Sequence, residues 1–201
     1  MDPVADSMAG RHVAFLRGIN VGRAKRVAMS DLRKLVEGLG YRDVATLLNS
    51  GNVVFTVPGG VRGDPAERIE RGIAEKLGVS CKVTTLTAEE LAEAVRANPL
   101  QQCAEDPSRF LVAVLRSDSH RALVKLLTRQ KWGKEAFAVG DRVAYMWCPV
   151  GILDSPLGVA LGKALGDGVT TRNWNTMVKL LALAGGGGSP EETPRARGKK
   201  R

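Results

Sequence analysis

The stretch VATLLNSGNVVFTV, residues 44–57, decides the fold. Two strand-like runs, residues 44–48 and 52–57, flank the turn Asn49-Ser50-Gly51-Asn52. β-Branched and aromatic side chains favour strands, and a Ser-Gly centre suits a tight connection between antiparallel strands. The stretch therefore predicts a β-hairpin, and the elements on either side of it define the rest of the sheet.

One strand and one helix are predicted before the hairpin. Residues 12–17 read as a strand, and Ser30 is the predicted cap of a helix that ends at Gly40. The apolar positions of this helix recur at helical spacing, as expected for a helix packed on a sheet. They are Leu32, Leu35, Val36 and Leu39.

One helix and one strand are predicted after the hairpin. Asp64 and Pro65 are typical of the start of a helix, and residues 81–86 read as a strand. The resulting order is βαββαβ. With right-handed crossovers, this order folds most simply into a ferredoxin-like sheet backed by two helices.

The second half of the chain reads as a degenerate copy of the first. Its predicted strands are residues 110–115, 137–139, 143–147 and 169–171, and its predicted helices are 121–127 and 157–165. Thr87 is expected to cap the helix between the copies, and Asn173 or Thr171 the final helix. We therefore expect an α+β protein with two ferredoxin-like lobes and a C-terminal helix. Its predicted parts are a flexible N-terminus (1–10), lobe 1 with its following helix (11–99), a linker (100–108), lobe 2 with the C-terminal helix (109–184) and a disordered basic tail (185–201).

Composition favours a globular protein with affinity for polyanions, and we expect a cytoplasmic location because residues 1–10 lack the basic start and apolar centre of a signal peptide. The 201 residues are 44% hydrophobic and 25% charged, with a formal net charge of +9. Part of that charge lies in the tail GGGGSPEETPRARGKKR, which cannot bury enough apolar surface to fold. The tail reads either as a solvated end or as a weak nucleic-acid-binding arm.

Several classes of site and partner are not indicated. Three separated cysteines and two histidines predict neither a disulfide framework nor a metal site, and the thiols are expected to be buried or inert. No apolar run approaches the roughly 20 residues of a membrane helix, so we expect no membrane partner. No motif for nucleophilic or metal-dependent catalysis occurs. No cofactor is predicted, and a monomer is the default.

A basic loop after the first strand carries the strongest functional signal. It runs from Arg17 through Gly18, Asn20 and Gly22 to Lys25 and Arg26. Glycines let backbone N–H groups approach a ligand, and the cations attract an anion. The alternative is a purely structural crossover.

Two further segments are candidates for the same site. Arg172, Asn173, Trp174 and Asn175 begin the last helix, where an arginine can pair with phosphate and an indole can stack on a base. Alternatively, Trp174 anchors the core and Asn173 caps the helix. Asn49, Ser50 and Asn52 are candidate ligands in the hairpin, with turn chemistry as the alternative.

Three motifs together resemble the domain-of-unknown-function 1697 family: FLRGINVG (15–22), NSGNVVF (49–55) and TTRNWNT (170–176). The resemblance spans roughly residues 11–184. It implies a small cytoplasmic protein with two ferredoxin-like lobes and no established activity. Where family members commonly read Gly-Arg-Ser-Lys-Leu-Thr, this chain has LDSPLG (153–158), so a Ser-Lys catalytic pair is impossible there.

Two hypotheses of function follow. The first is a protein that binds a phosphate-bearing ligand, either nucleic acid or a nucleotide, through residues 17–22 and 172–175. The second is a transferase or hydrolase that acts on a small phosphorylated or anionic metabolite between the lobes. A third mode, RNA binding through Phe15 and Phe55 on central strands, conflicts with an apolar face of Val13, Phe15, Val53 and Val57 that we expect to be buried.

Overall fold

The computed structural model describes residues 10–20, 26–103 and 106–185. Gly22 and Lys25 of the basic loop lie outside the described residues. So do residues 1–9 of the predicted N-terminal segment and residues 186–201 of the predicted tail.

Lobe 1 has the predicted order of elements. They are β1 (Arg11–Arg17), α1 (Met29–Gly38), β2 (Arg42–Leu47), β3 (Asn52–Thr56), α2 (Pro65–Leu77) and β4 (Lys82–Thr87). The strands form one antiparallel sheet in the order β2-β3-β1-β4, which confirms the ferredoxin-like topology. Helix α3 (Ala88–Arg96) follows directly.

Lobe 2 repeats the same order. Its elements are β5 (Phe110–Leu115), α4 (Asp118–Lys125), β6 (Ala136–Val139), β7 (Val143–Trp147), α5 (Pro156–Leu165) and β8 (Val169–Asn173). The sheet order is β6-β7-β5-β8, again antiparallel throughout. Helix α6 (Trp174–Ala184) closes the fold. The predicted pair of similar lobes with a C-terminal helix is confirmed.

Side-chain caps mark the starts of four of the six helices that the structure describes. The Asp64 carboxylate accepts a hydrogen bond from the Ala66 N–H at 2.8 Å, and Thr87 forms a reciprocal capping box with Glu90. The prediction that Ser30 caps α1 is wrong. The helix already begins at Met29, and Ser30 lies in its first turn.

The apolar core has two layers on the sheet of lobe 1. On one side, helices α1 and α2 cover the sheet. On the other, the sheet packs with α3, α6 and the sheet of lobe 2 in one continuous cluster, which includes Phe15 and Phe110. The cluster joins the lobes and buries the sheet face that carries Phe15.

The predicted apolar face of lobe 1 is correct for Val13 and Phe15, which lie in the inter-lobe cluster. It is wrong for Val53 and Val57, which pack with the helices on the opposite side. Strand residues alternate between faces, and the register pairs Val13 with Val54, so Val54 faces the junction. Phe55 also lies on the helix side.

Candidate functional site

The three sequence motifs converge at the junction of the lobes. The end of β1, the β2–β3 hairpin and β8 line an open cavity of about 760 Å³. Seven of the predicted site residues line it: Arg17, Gly18, Asn20, Arg26, Asn49, Ser50 and Arg172. The remaining described lining residues are Leu16, Ile19, Val27, Ala28, Thr170 and Thr171.

Arg172 connects β8 of lobe 2 to lobe 1. Its Nε donates to Asn52 Oδ1 at 2.5 Å, and its Nη2 donates to the carbonyl oxygens of Leu16 at 2.7 Å and of Ser50 and Gly51 at 3.2 Å. Nη1 donates within its own strand, to Thr170 Oγ1 and the Thr171 carbonyl, both at 2.8 Å. A guanidinium has five N–H donors, and these acceptors engage every nitrogen. Arg172 is therefore a structural clasp between the lobes.

The Arg172 charge is buried among neutral groups. Its acceptors are backbone carbonyls, an amide and a hydroxyl, and its guanidinium lies 5.8 Å from the centre of the Phe15 ring. Burial lowers the pKa of Arg172 to about 10, so the side chain is a cation at neutral pH. With no described carboxylate paired with it, this charge adds a positive potential to the cavity.

Arg17 makes a second, weaker connection between the lobes. Its Nη1 donates to the Val169 carbonyl at 3.0 Å, and its Nε lies 3.3 Å from Asp167 Oδ1. The side chains of Arg17 and Asp167 are 41% and 75% exposed, so solvent screens this pair strongly. Arg17 is therefore free to exchange its exposed partner for another anion.

Asn20 closes the base of the basic loop. Its Nδ2 donates to the carbonyls of Asn49 at 2.8 Å and Val27 at 3.0 Å, and its Oδ1 accepts from the Val27 N–H at 2.9 Å. Asn20 has a φ of 54°, a conformation that asparagine tolerates better than most residues. These bonds hold Asn20 against Val27, and the exposed Arg26 lies at the cavity.

The hairpin residues have the turn chemistry that we considered as the alternative. Asn52 is fully buried, and its Nδ2 donates to the Leu47 carbonyl at 2.7 Å and to Ser50 Oγ at 3.1 Å. Gly51 has a φ of 80°, and a Cβ there would lie 2.7 Å from side-chain atoms of Leu16 and Ile19. The turn is therefore packed directly beneath the end of β1.

The start of α6 faces away from the cavity. Asn173 Oδ1 accepts from the N–H of Thr176 at 3.0 Å and so caps the helix. Trp174 packs edge-on against Phe110, with ring centroids 5.4 Å apart, and Asn175 is exposed. None of these three residues lines the cavity. Asn173 therefore has the capping role, and Trp174 the core-packing role, that we considered as alternatives to ligand binding.

Some features of the site were not singled out from the sequence. Thr170 and Thr171 line the cavity. They belong to a quoted motif, but the candidate ligands that the sequence suggested in that motif are residues 172–175. No sequence pattern indicated a role for Asp167, because its partner Arg17 lies 150 positions earlier in the chain.

The thiols of Cys81 and Cys148 and the two imidazoles lie outside the cavity, whereas the Cys103 side chain is outside the described part of the structure. Cys81 and Cys148 are buried, and burial raises the pKa of Cys148, which keeps it protonated at neutral pH. His120 Nδ1 lies 2.5 Å from Ser117 Oγ, and His12 Nδ1 lies 3.1 Å from the Gly10 carbonyl. Among the described residues, no group of acidic, imidazole and thiol side chains is arranged to hold a metal ion. No helix there is long and apolar enough to cross a membrane.

Comparisons with known proteins agree with this architecture. A solved structure of the conserved bacterial protein SP0830 from Streptococcus pneumoniae aligns with a TM-score of 0.65 and 21% identity, covering 87% of this chain and 98% of that one. At this identity, the likeness concerns the fold alone. No curated protein matches the sequence. The family model described as "Protein of unknown function (DUF1697)" matches residues 9–145, and the chain belongs to this family.

Proposed function

We propose that the chain binds a phosphate-bearing ligand, nucleic acid or a nucleotide, in the cavity at the lobe junction. The observation that carries this proposal is the charge of the cavity wall. Three guanidinium groups, those of Arg17, Arg26 and Arg172, line a space of about 760 Å³ whose described lining residues include no carboxylate. Ligand cavities are commonly about 300–1,000 Å³, so the volume suits a nucleotide or a short segment of a longer polyanion.

The three arginines have different roles in this proposal. The donors of Arg172 are already used within the protein, so it supplies long-range attraction and holds the wall in place. Arg17 is half exposed, and Arg26 is exposed and forms no ion pair with a described residue, so these two contact the phosphate directly. Arginine suits this role because its planar guanidinium pairs with two phosphate oxygens at once.

The fold also favours this cavity over another route to RNA. Ferredoxin-like sheets bind RNA through aromatic residues on an open face, and here the face that carries Phe15 is buried between the lobes. Trp174 packs against Phe110 and so does not offer its ring for stacking on a base in the cavity. Recognition therefore depends on phosphate.

The enzyme hypothesis has no supporting observation. The described lining residues include no carboxylate, imidazole, thiol or amine to act as a general acid or base. A transferase or hydrolase stays a prediction.

The test is a titration of a fluorescent 12-mer single-stranded RNA, followed by anisotropy, with a mononucleotide triphosphate as competitor. A chain ending at Ala184 removes the basic tail from the measurement. We expect Arg26→Ala to weaken binding about tenfold, because a charge-assisted phosphate contact is lost. The matched control is Arg62→Ala, which removes an exposed cation near the far end of β3 and is expected to change nothing.

The salt dependence separates the two kinds of ligand. Nucleic acid contacted through several phosphates loses affinity steeply between 50 and 200 mM salt. A nucleotide held in the cavity loses much less and displaces the labelled RNA. Equal binding by Arg26→Ala, Arg17→Ala and the unmodified chain would remove the cavity from consideration.

A further inference from the structure

We infer that one end of lobe 2 docks onto an anionic lipid surface. The surface in question, called the lobe 2 tip below, consists of the end of α4 with the turn after it and the loop from β7 to α5. It is independent of the phosphate-binding cavity and does not rest on the function proposed above.

The topology brings the two parts of the tip together. Helix α4 runs back along β5 and is followed by a 3-10 turn, Leu126–Arg129, which leads to β6. The register pairs the first residue of β6, Ala136, with the last of β7, Trp147. The loop after β7 therefore starts where the segment after α4 ends. A hydrogen bond of 3.0 Å from the Leu157 N–H to Glu135 Oε2 joins the two segments.

The tip exposes apolar side chains that have no role in the core. Leu153, in the short 3-10 turn Ile152–Asp154, is 90% exposed, and Val150 beside it is 59% exposed. Leu126 is 53% exposed on the other segment. A leucine exposed to this degree costs free energy in water, and several at one end of a molecule are typical of an interaction site.

Four cations lie on the segment of the tip that carries Leu126. Lys125, Arg129, Lys131 and Lys134 are exposed, and their side chains form no hydrogen bond or ion pair with any residue that the structure describes. Within the two segments the carboxylates are Asp154, which is exposed, and Glu135, which accepts the bond from Leu157. Beside the loop, Asp106 lies 4.0 Å from Arg109, so that pair leaves the net charge unchanged. The tip therefore combines apolar side chains with a net positive charge.

An anionic bilayer is the partner that best fits this combination. Nucleic acid would attract the cations, but its phosphate backbone offers no apolar environment in which Leu153 and Val150 could be buried. A protein partner would need a pocket shaped to protruding side chains, whereas a bilayer accepts them at any position of its interface. Peripheral proteins bind by inserting exposed apolar side chains to the depth of the lipid headgroups while lysines meet anionic lipids. The expectation of no membrane partner was based on the lack of a spanning helix, which this mode does not require.

The test uses the full chain and sedimentation with sucrose-loaded vesicles of phosphatidylcholine with 30% phosphatidylglycerol, at 0.1 M salt. We expect binding to these vesicles and little binding to pure phosphatidylcholine. The double variant Val150→Ser/Leu153→Ser is expected to lower the partition coefficient about tenfold, since its apolar area no longer enters the interface. Lys125→Gln/Lys131→Gln/Lys134→Gln is expected to lower it by a similar factor or more.

Two controls separate the tip from the basic tail and from misfolding. The tail is unchanged in both variants, so equal vesicle binding by the serine double variant and the unmodified chain would overturn the proposal. Leu153→Ile keeps the apolar side chain and is expected to retain binding. Because these side chains are exposed, all variants are expected to melt as the unmodified chain does. If the glutamine variant lost RNA affinity while its vesicle binding stayed unchanged, the tip would be a nucleic-acid surface instead.

Discussion

Replacing Arg172 by alanine tests the role of the clasp between the lobes. The variant removes the donors for six acceptor atoms, three of them on backbone carbonyls of lobe 1. The space left by the side chain adjoins the open cavity, so water re-solvates the acceptors that border it. Water has least access to two of the acceptors, Asn52 Oδ1 and the Leu16 carbonyl oxygen, because Asn52 is 0% exposed and Leu16 is 1% exposed.

The expected loss of stability follows from those two atoms. A buried acceptor left without a donor costs about 1–3 kcal/mol, so two of them cost about 2–6 kcal/mol in free energy of unfolding. For a chain of this length, at about 2–4 °C for each kcal/mol, this corresponds to a fall in Tm of roughly 4–24 °C. Arg172→Lys keeps the charge but has only three donors in a different geometry, and it is expected to lose about half as much.

The assay is thermal and urea unfolding followed by circular dichroism at pH 7. Arg17→Ala is the matched control, because it removes the exposed inter-lobe arginine and is expected to cost less than about 1 kcal/mol. If Arg172→Ala and Arg17→Ala had the same small effect, the guanidinium of Arg172 would not be a clasp.

Three further predictions address the turn, the alkaline behaviour and a thiol. Gly51→Ala is expected to lower the free energy of unfolding by about 2–4 kcal/mol in urea unfolding, because the new Cβ meets Leu16 and Ile19. Gly18 has a similar positive φ but open space where a Cβ would lie, so Gly18→Ala is expected to cost only the backbone strain of about 1–2 kcal/mol. Equal losses in the two variants would contradict the close packing at Gly51. Burial raises the pKa of Tyr145 to about 12. The folded chain therefore keeps a proton between pH 10 and 12 that the unfolded chain releases, and stability falls as pH rises through that window. Tyr145→Phe is expected to make this fall smaller, although the lowered pKa of Arg172 acts in the opposite direction in both chains. The buried Cys148 is expected to react with a thiol reagent at pH 8 only as fast as the chain unfolds, and rapid labelling of Cys148 in the folded chain would refute its burial.

The fold was predictable because its signals are local. The hairpin turn, the Asp64 and Thr87 caps and the alternation of the strands each depend on residues a few positions apart. The faces of β3 were less predictable. Val53, Val54 and Phe55 are all apolar and all fully buried, so the sequence has no alternation to show which residue faces the lobe junction.

The site was only partly predictable, because its contacts join distant segments. The motifs pointed to Arg172, but whether its guanidinium was available depended on acceptors 120 and 156 positions away. The sequence pattern around an arginine at a sheet edge is the same whether its guanidinium binds phosphate or the carbonyl oxygens of the protein. Trp174 was easier to predict, because its contact with Phe110 is the ordinary core-packing role of a large aromatic residue.

The most direct test of the central claim is a map of amide chemical shifts during titration of the full chain with inorganic pyrophosphate. The account predicts that the shifting N–H signals belong to the cavity wall, namely residues 16–20, 26–28, 49–50 and 170–172. In Arg26→Ala, the same signals are expected to move only at about tenfold higher pyrophosphate. Shifts confined to residues 186–201, with the wall unaffected, would contradict the account and assign the anion affinity of this chain to its basic tail.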